Sequence, residues 1–177
     1  VFFNGSSDTS YRTVDLTGFL SDADGYFILG SDAVAGADIT MGPDNTIQNG
    51  ADAVALYMAD AASFPDGTAV TTDGLVDAVV YGTADADDTG LLTGLGETTQ
   101  WDESENGANA TESLQFDPAT DSFCAGVPTL RAANILCGPP APLVELPITF
   151  EDGQLPTFGD FNGSFTQAIA NPDATGE

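Results

Sequence analysis

The chain has no histidine and no lysine, and its only basic side chains are Arg12 and Arg131. Each absence removes chemistry. Without an imidazole there is no His base, no His-activated serine or cysteine nucleophile and no His-ligated zinc. Without a lysine amine there is no Schiff base and no phosphate-loop lysine. An enzyme built here would depend on carboxylates alone, or on a metal held by oxygen ligands. The expectation is that the chain is not an enzyme. No apolar run approaches the roughly 20 residues that cross a bilayer as a helix, so no membrane insertion is expected.

Against two arginines stand 28 Asp and Glu residues, a formal net charge of −26 over 177 residues. Such a field repels nucleic-acid backbones and anionic lipid surfaces alike. Direct contact with nucleic acid is thereby excluded. Cations, other protein modules and copies of the chain itself are the expected partners. The composition is nevertheless that of a folded protein: 42% hydrophobic, 17% charged, with eleven Phe and four Tyr, whereas acidic disordered chains are poor in such residues. Acidic excess with no lysine suits a salty medium, in which screening weakens repulsion between carboxylates. The expected location is extracellular or at the cell surface, in a marine or halophilic bacterium. Cys124 and Cys137 fit one disulfide in an oxidising compartment, the alternative being two buried free thiols. The chain opens directly on a strand-like pattern with no visible signal peptide, and reads as a piece of a longer precursor.

Strand signals dominate. Short apolar or alternating runs occur at 1–3, 11–16, 26–29, 53–58, 75–81, 114–116 and 143–150, each bounded by Gly, Asn, Asp or Pro. Asn4-Gly5, Asp24-Gly25, Asn49-Gly50, Asp66-Gly67 and Asp73-Gly74 are turn dipeptides that favour positive φ. The strongest pairing is between 53–58 and 75–81, both apolar enough for a sandwich interior. Residues 87–95 have room for a helical turn and no more. The fold class is therefore all-β, an antiparallel β-sandwich over 1–137. Gly138-Pro139-Pro140-Ala141-Pro142 forms a proline linker. Residues 143–177 carry a further extended β segment, too short to bury a core alone: the start of a second module, or a strand donated to a neighbour.

Two stretches carry a family resemblance: Asn45-Thr46-Ile47-Gln48-Asn49-Gly50-Ala51-Asp52-Ala53-Val54-Ala55-Leu56-Tyr57 and Gly74-Leu75-Val76-Asp77-Ala78-Val79-Val80-Tyr81-Gly82. With Val14-Asp15-Leu16-Thr17-Gly18 upstream and Pro128-Thr129-Leu130-Arg131 downstream, their order resembles that of bacterial lamin-tail domains over about residues 1–134. The resemblance implies an immunoglobulin-like sandwich without a catalytic site, of a kind that accompanies nucleases, phosphatases and surface proteins. A strand that opens the family pattern has no counterpart before Val1, which leaves one sheet edge open for a strand from elsewhere. The segment after the linker resembles the opening of a jelly-roll module.

Two acidic clusters are candidate Ca²⁺ sites, because hard, flexible oxygen ligands suit that ion. One is Asp85, Asp87 and Asp88; the other is Asp22 and Asp24 before Gly25, where counting twelve positions from Asp22 lands on Ala33 and not on the closing Glu of an EF-hand. Both compete with the plain alternative of solvated acidic turns. Asp102, Glu103 and Glu105 beside Trp101 offer the carboxylates of a glycosidase, but their polar surroundings (100–111) read as an exposed loop. Of three glycosylation sequons, at Asn4, Asn109 and Asn162, Asn109 is best placed to carry a glycan. Two function classes remain: a non-catalytic structural or adhesion module of a secreted or cell-surface protein that assembles into an extracellular filament, or an accessory module of an extracellular nuclease or phosphatase.

Overall fold

The computed structural model describes residues 1–135, 137 and 138. The chain divides into two units, Val1–Pro140 and Ala141–Glu177. The linker from 139 onward, the strand expected at 143–150 and the sequon at Asn162 lie outside the described residues.

The first unit is mostly β. Its strands are β1 (Phe2–Asn4), β2 (Thr9–Arg12), β3 (Leu29–Gly30), β4 (Ile39–Thr40), β5 (Asp52–Tyr57), β6 (Leu75–Gly82), β7 (Gln100–Asp102), β8 (Ser113–Asp117) and β9 (Ser122–Gly126), with one helix, α1 (Thr89–Leu95). Five strands form a sheet in the order β2-β1-β5-β6-β7, and β3–β4 and β8–β9 form two-stranded sheets. The expected pairing of the two valine-rich strands is found: β5 runs antiparallel to β6, with Ala53 opposite Val80 and Val54 opposite Val79. β1 pairs with β2 on one side and β5 on the other. It is an interior strand, so the open edge expected beside the first strand is not there. The sheet ends on β2 and β7, and β2 is itself bordered by the backbone bonds Ser10 N to Thr68 O and Gly67 N to Ser10 O.

β6 and β7 are parallel neighbours, a departure from the antiparallel expectation. Parallel neighbours need a crossover, normally a helix, and α1 is that helix. Its sequence, Thr-Gly-Leu-Leu-Thr-Gly-Leu, has two glycines and weak helix propensity. It is fixed by its ends. Asp88 Oδ1 accepts from the N–H groups of Gly90 and Leu91, and Gly96 closes the helix at φ 77°. Leu91 and Leu95, one turn apart, then lie against Phe3, Ala53, Ala55 and Val80 in the core. Gly94 is required by closeness: a Cβ there would run into the Val70 side chain.

The opposite face of the sheet is only partly covered. Leu56, Val76 and Met58 are 46%, 56% and 83% exposed, at the end of the β5–β6 ladder where its register shifts. The expectation that both strands are wholly interior fails there. Near β7, Trp101 packs on Phe123 of β9 with ring centroids 5.6 Å apart, and Phe123 on Phe116 of β8 at 5.1 Å. Trp101 thus plugs the contact between the two sheets, and the expected loop at 100–111 begins as a strand.

Two devices fasten the irregular parts. Cys124 and Cys137 are disulfide-bonded, and the neighbouring Cys137 N–H donates to the buried Asp117 carboxylate at 2.9 Å. Arg131 donates to Asp22 (2.7 Å), to Asp38 (2.8 Å) and to the Gly36 carbonyl (2.7 Å), tying the 13–51 connection to a residue about a hundred positions later.

Reducing the disulfide, or replacing Cys124 with Ser, is expected to lower unfolding free energy by about 3 kcal/mol for a loop of this size, read from urea denaturation with and without reductant. Arg131→Gln is expected to speed amide hydrogen exchange across residues 22–38 at neutral pH. The Asp22 and Asp38 carboxyls are held below their ordinary range, by the Tyr26 and Ile28 N–H groups first and by Arg131 next. Their stabilising effect is present above the unfolded value of 3.8 and is lost as pH falls through the lower folded values. Acidification of the parent below that window should therefore reproduce the Arg131→Gln exchange pattern.

Candidate functional site

The chain reverses at residues 5–8 between β1 and β2, and Asp8 takes a left-handed conformation at φ 51°. That turn meets the start of β5 and the start of α1. Asp52, the first residue of β5, stands opposite Asn4 on one side and Tyr81 on the other. Its Oδ1 accepts from the Gly5 N–H at 3.1 Å. Asp88 Oδ2 lies against the same Gly5, where a Cβ would strike both it and the Ala51 carbonyl oxygen. The Asp8 carboxyl is within hydrogen-bonding reach of Asp88 and lies against Gly90. At Gly5 the Ala51 carbonyl and the Asp88 carboxylate, and at Gly90 the Asp8 carboxylate, occupy the space a side chain would need.

Asp88 is thus the common neighbour: it meets Asp8, and with Asp85 it acts on the Asp52 carboxyl. Asp85 sits in the β6–α1 loop and accepts from the Thr83 N–H at 2.9 Å. Gln100 steadies the loop, accepting from Asp88 N–H at 2.8 Å and donating to the Ala86 carbonyl at 3.3 Å. Asp87 is exposed. Neither arginine contacts this group: Arg12 donates to the Met41 carbonyl at 2.5 Å and Arg131 to Asp22 and Asp38. Asp52 is 4% exposed, and its Oδ2, like Asp8 Oδ1, has no hydrogen-bond partner among the described residues. Burial raises both carboxyls from their ordinary values. For Asp8 the Asp88 charge and their shared hydrogen bond add to this; for Asp52 the Gly5 N–H opposes it while Asp85 and Asp88 reinforce it. The Tyr81 phenol donates to the Gln48 carbonyl at 3.1 Å and is raised by burial first, with Tyr11 and Asp52 adding to it.

The sequence candidates separate on this geometry. Asp88 belongs to the cluster and Asp85 borders it, while Asp87 is exposed and has no hydrogen-bond partner among the described residues. Asp22 is engaged by Arg131 and by the Asp24 and Tyr26 N–H groups, so its carboxylate serves the loop. Asp24 is exposed. Among the described residues, no three His, Cys, Asp or Glu side chains stand preassembled as a metal-ligand set. Asp102 accepts from Ser104 and from the Ala84 N–H, and Glu105 from the Ala125 N–H at 2.7 Å, so both hold backbone in place. Asn109 is exposed in a turn, whereas Asn4 is engaged by Ser6 and Gln48. Asp8 and Asp52 escaped the sequence reading because neither belongs to an acidic run; only the β1–β5–β6 register brings them to Asp88.

A second concavity, of about 250 Å³, lies at the other end of β5 and is lined by Val1, Thr13, Leu16, Leu56, Met58 and Phe64 among others. Among the described residues no helix is long and apolar enough to cross a membrane. Comparison with family models, curated proteins and solved structures gives no match.

Because Asp8 and Asp52 bind protons more tightly folded than unfolded, they favour folding most where protonated. Their contribution is lost as pH rises from the unfolded value of 3.8 through the raised folded values. In chelator-treated buffer the Tm is expected to fall over that rise, and Asp52→Asn to melt higher than the parent at neutral pH with a flatter pH profile. An Asp52→Asn protein that melts lower at neutral pH would contradict the account.

Proposed function

We propose that this chain is a non-catalytic structural or adhesion module of a larger secreted or cell-surface protein, an Ig-like sandwich of the lamin-tail type. Its partners are other protein modules or copies of itself. The reading draws support from the five-stranded sheet with a second sheet against its β7 side and from the disulfide, which suits an oxidising compartment. It also draws support from a chain with neither His nor Lys, whose Asp102 and Glu105 carboxylates are engaged with backbone N–H groups.

The observation that carries it is the apolar end of the β5–β6 ladder. Leu56, Val76 and Met58 are exposed, and Leu56 and Met58 line a cleft with Val1, Leu16 and Phe64, on a chain with a net charge of −26. Clustered exposed apolar residues mark contact surfaces; Phe19 and Leu20 are exposed as well, but only Leu56 and Met58 line the cleft. A head-to-tail contact that does not close generates a fibre, which makes an extracellular filament the assembled form in this reading. Residues 143–150, outside the described residues, are the candidate strand for donation to a neighbouring molecule.

Sedimentation in high-salt buffer tests the assembly. The full chain is expected to form large species, and both Met58→Asp and deletion of residues 143–177 to reduce them. Equal assembly without that tail rejects strand donation, and a monomeric full chain at every concentration rejects the filament. Turnover of a phosphodiester, phosphomonoester or glycoside that Glu103→Gln abolishes would reject the non-catalytic reading.

A further inference from the structure

We propose that Asp8, Asp52 and Asp88, grouped around Gly5, bind one calcium ion, with Asp85 at the rim. The Asp8 and Asp88 carboxyls meet beside Gly90 without a basic partner. Repulsion between them is relieved by a shared proton or by a cation.

Asp52 separates this group from an ordinary acidic turn. It is almost wholly buried, at 4% exposure, one oxygen is fixed by the Gly5 N–H at 3.1 Å, and the other has no donor among the described residues. A buried carboxylate oxygen without a donor is costly. Gly5 itself joins it to the pair, with Asp52 Oδ1 on its nitrogen and Asp88 Oδ2 in the space a Cβ there would need. A second buried oxygen without a partner among the described residues is Oδ1 of Asp8, on the carboxyl that meets Asp88.

The donors select the ion. All are hard oxygens, which excludes soft-metal chemistry. They come from three separate segments and do not stand preassembled as a three-carboxylate set, so the ion must accept irregular geometry and complete its shell with water. Ca²⁺ takes six to eight oxygens in flexible arrangements, whereas Mg²⁺ demands a near-ideal octahedron and gives up water reluctantly. The Ala51 carbonyl oxygen, against Gly5 beside Asp88 Oδ2, is a neutral oxygen in the same place.

Calorimetric titration of the metal-stripped full chain with CaCl₂ in high-NaCl buffer tests the site, alongside Tm measurements with CaCl₂, MgCl₂ and NaCl at matched ionic strength. One saturable site per chain is expected, with a Tm rise of about 5–10 °C at hundredfold excess over Kd. Asn variants keep the local backbone: at position 88 Asn still caps the helix, and at position 8 it tolerates positive φ. Asp8→Asn and Asp88→Asn are each expected to weaken calcium about tenfold, since ligand charge sets affinity, while Asp87→Asn leaves it unchanged. In chelator the first two should melt no lower than the parent, which separates lost ligation from lost fold. As a readout needing no variant, one bound Tb³⁺ per chain should give tyrosine-excited emission, through Tyr11 and Tyr81 near Asp52, that calcium displaces. Three results would each overturn the site: equal Tm effects of CaCl₂ and NaCl, unchanged affinity in Asp8→Asn and Asp88→Asn, or no displaceable terbium emission. Loss of binding in Asp87→Asn alone would move the ion to the exposed loop and reject this assignment.

Discussion

Cation scarcity governs this structure. Two guanidinium groups face 28 carboxylates, and both are committed to the connection between β2 and β5. Arg12 holds the Met41 carbonyl, while Arg131 bridges Asp22, Asp38 and the Gly36 carbonyl. That connection contains only the two-residue strands β3 and β4, too short to hold a path by ladder bonds alone. Exposed ion pairs are ordinarily weak. Here one planar guanidinium with several fixed donors gathers three acceptors, and its effect is to fix which path a long loop takes.

Several of the remaining carboxylates find donors in the backbone. Asp15, Asp60, Asp88, Asp102 and Asp117 each accept from an N–H two residues ahead. These Asx-type turns favour local reversals without any cation. They account for how so acidic a chain remains rich in tight turns and short strands, since each aspartate used this way satisfies a loop donor as it places a charge at the surface. The exceptions are Asp8 and Asp52, where the fold has buried carboxylate oxygens without donors. An oxygen left so in an otherwise well-satisfied set marks a place where something else completes the arrangement.

The sequence was most legible where chemistry is local. Asp-Gly and Asn-Gly turns appear with positive φ at Gly25, Gly50, Gly67 and Gly74, and the β5–β6 ladder follows its valine-rich pattern. Gly5 is different: it is not among the positive-φ glycines, and its small size serves the close approach of Asp88 and the Ala51 carbonyl. The helix was underestimated because Gly90 and Gly94 depress propensity; only the Asp88 cap, the Leu91–Leu95 spacing and Gly96 announce it. β7 has three residues, and its parallel pairing depends on that helix returning the chain. Half of the carboxylate group was visible as an acidic run, through Asp85 and Asp88. The other half, Asp8 and Asp52, becomes a neighbour only when β1 is inserted between β2 and β5.

β5 also sets how the two candidate surfaces relate. Asp52 opens the strand and Leu56 stands four residues on, which separates the carboxylate group from the apolar end by about 14 Å. At physiological ionic strength a charge is screened over about 8 Å, and at 1 M salt over about 3 Å. Neutralising the carboxylate group therefore acts on the apolar end through a field already weakened by the medium. Two such chains meeting through Leu56, Met58 and Val76 would still bring a net charge of −26 each into proximity. Hydrophobic contact is short-ranged and gains from salts that strengthen burial, while the repulsion opposing it shrinks with the screening length. Both changes run the same way with ionic strength, so the proposed contact is one that a salty medium permits and a dilute one prevents.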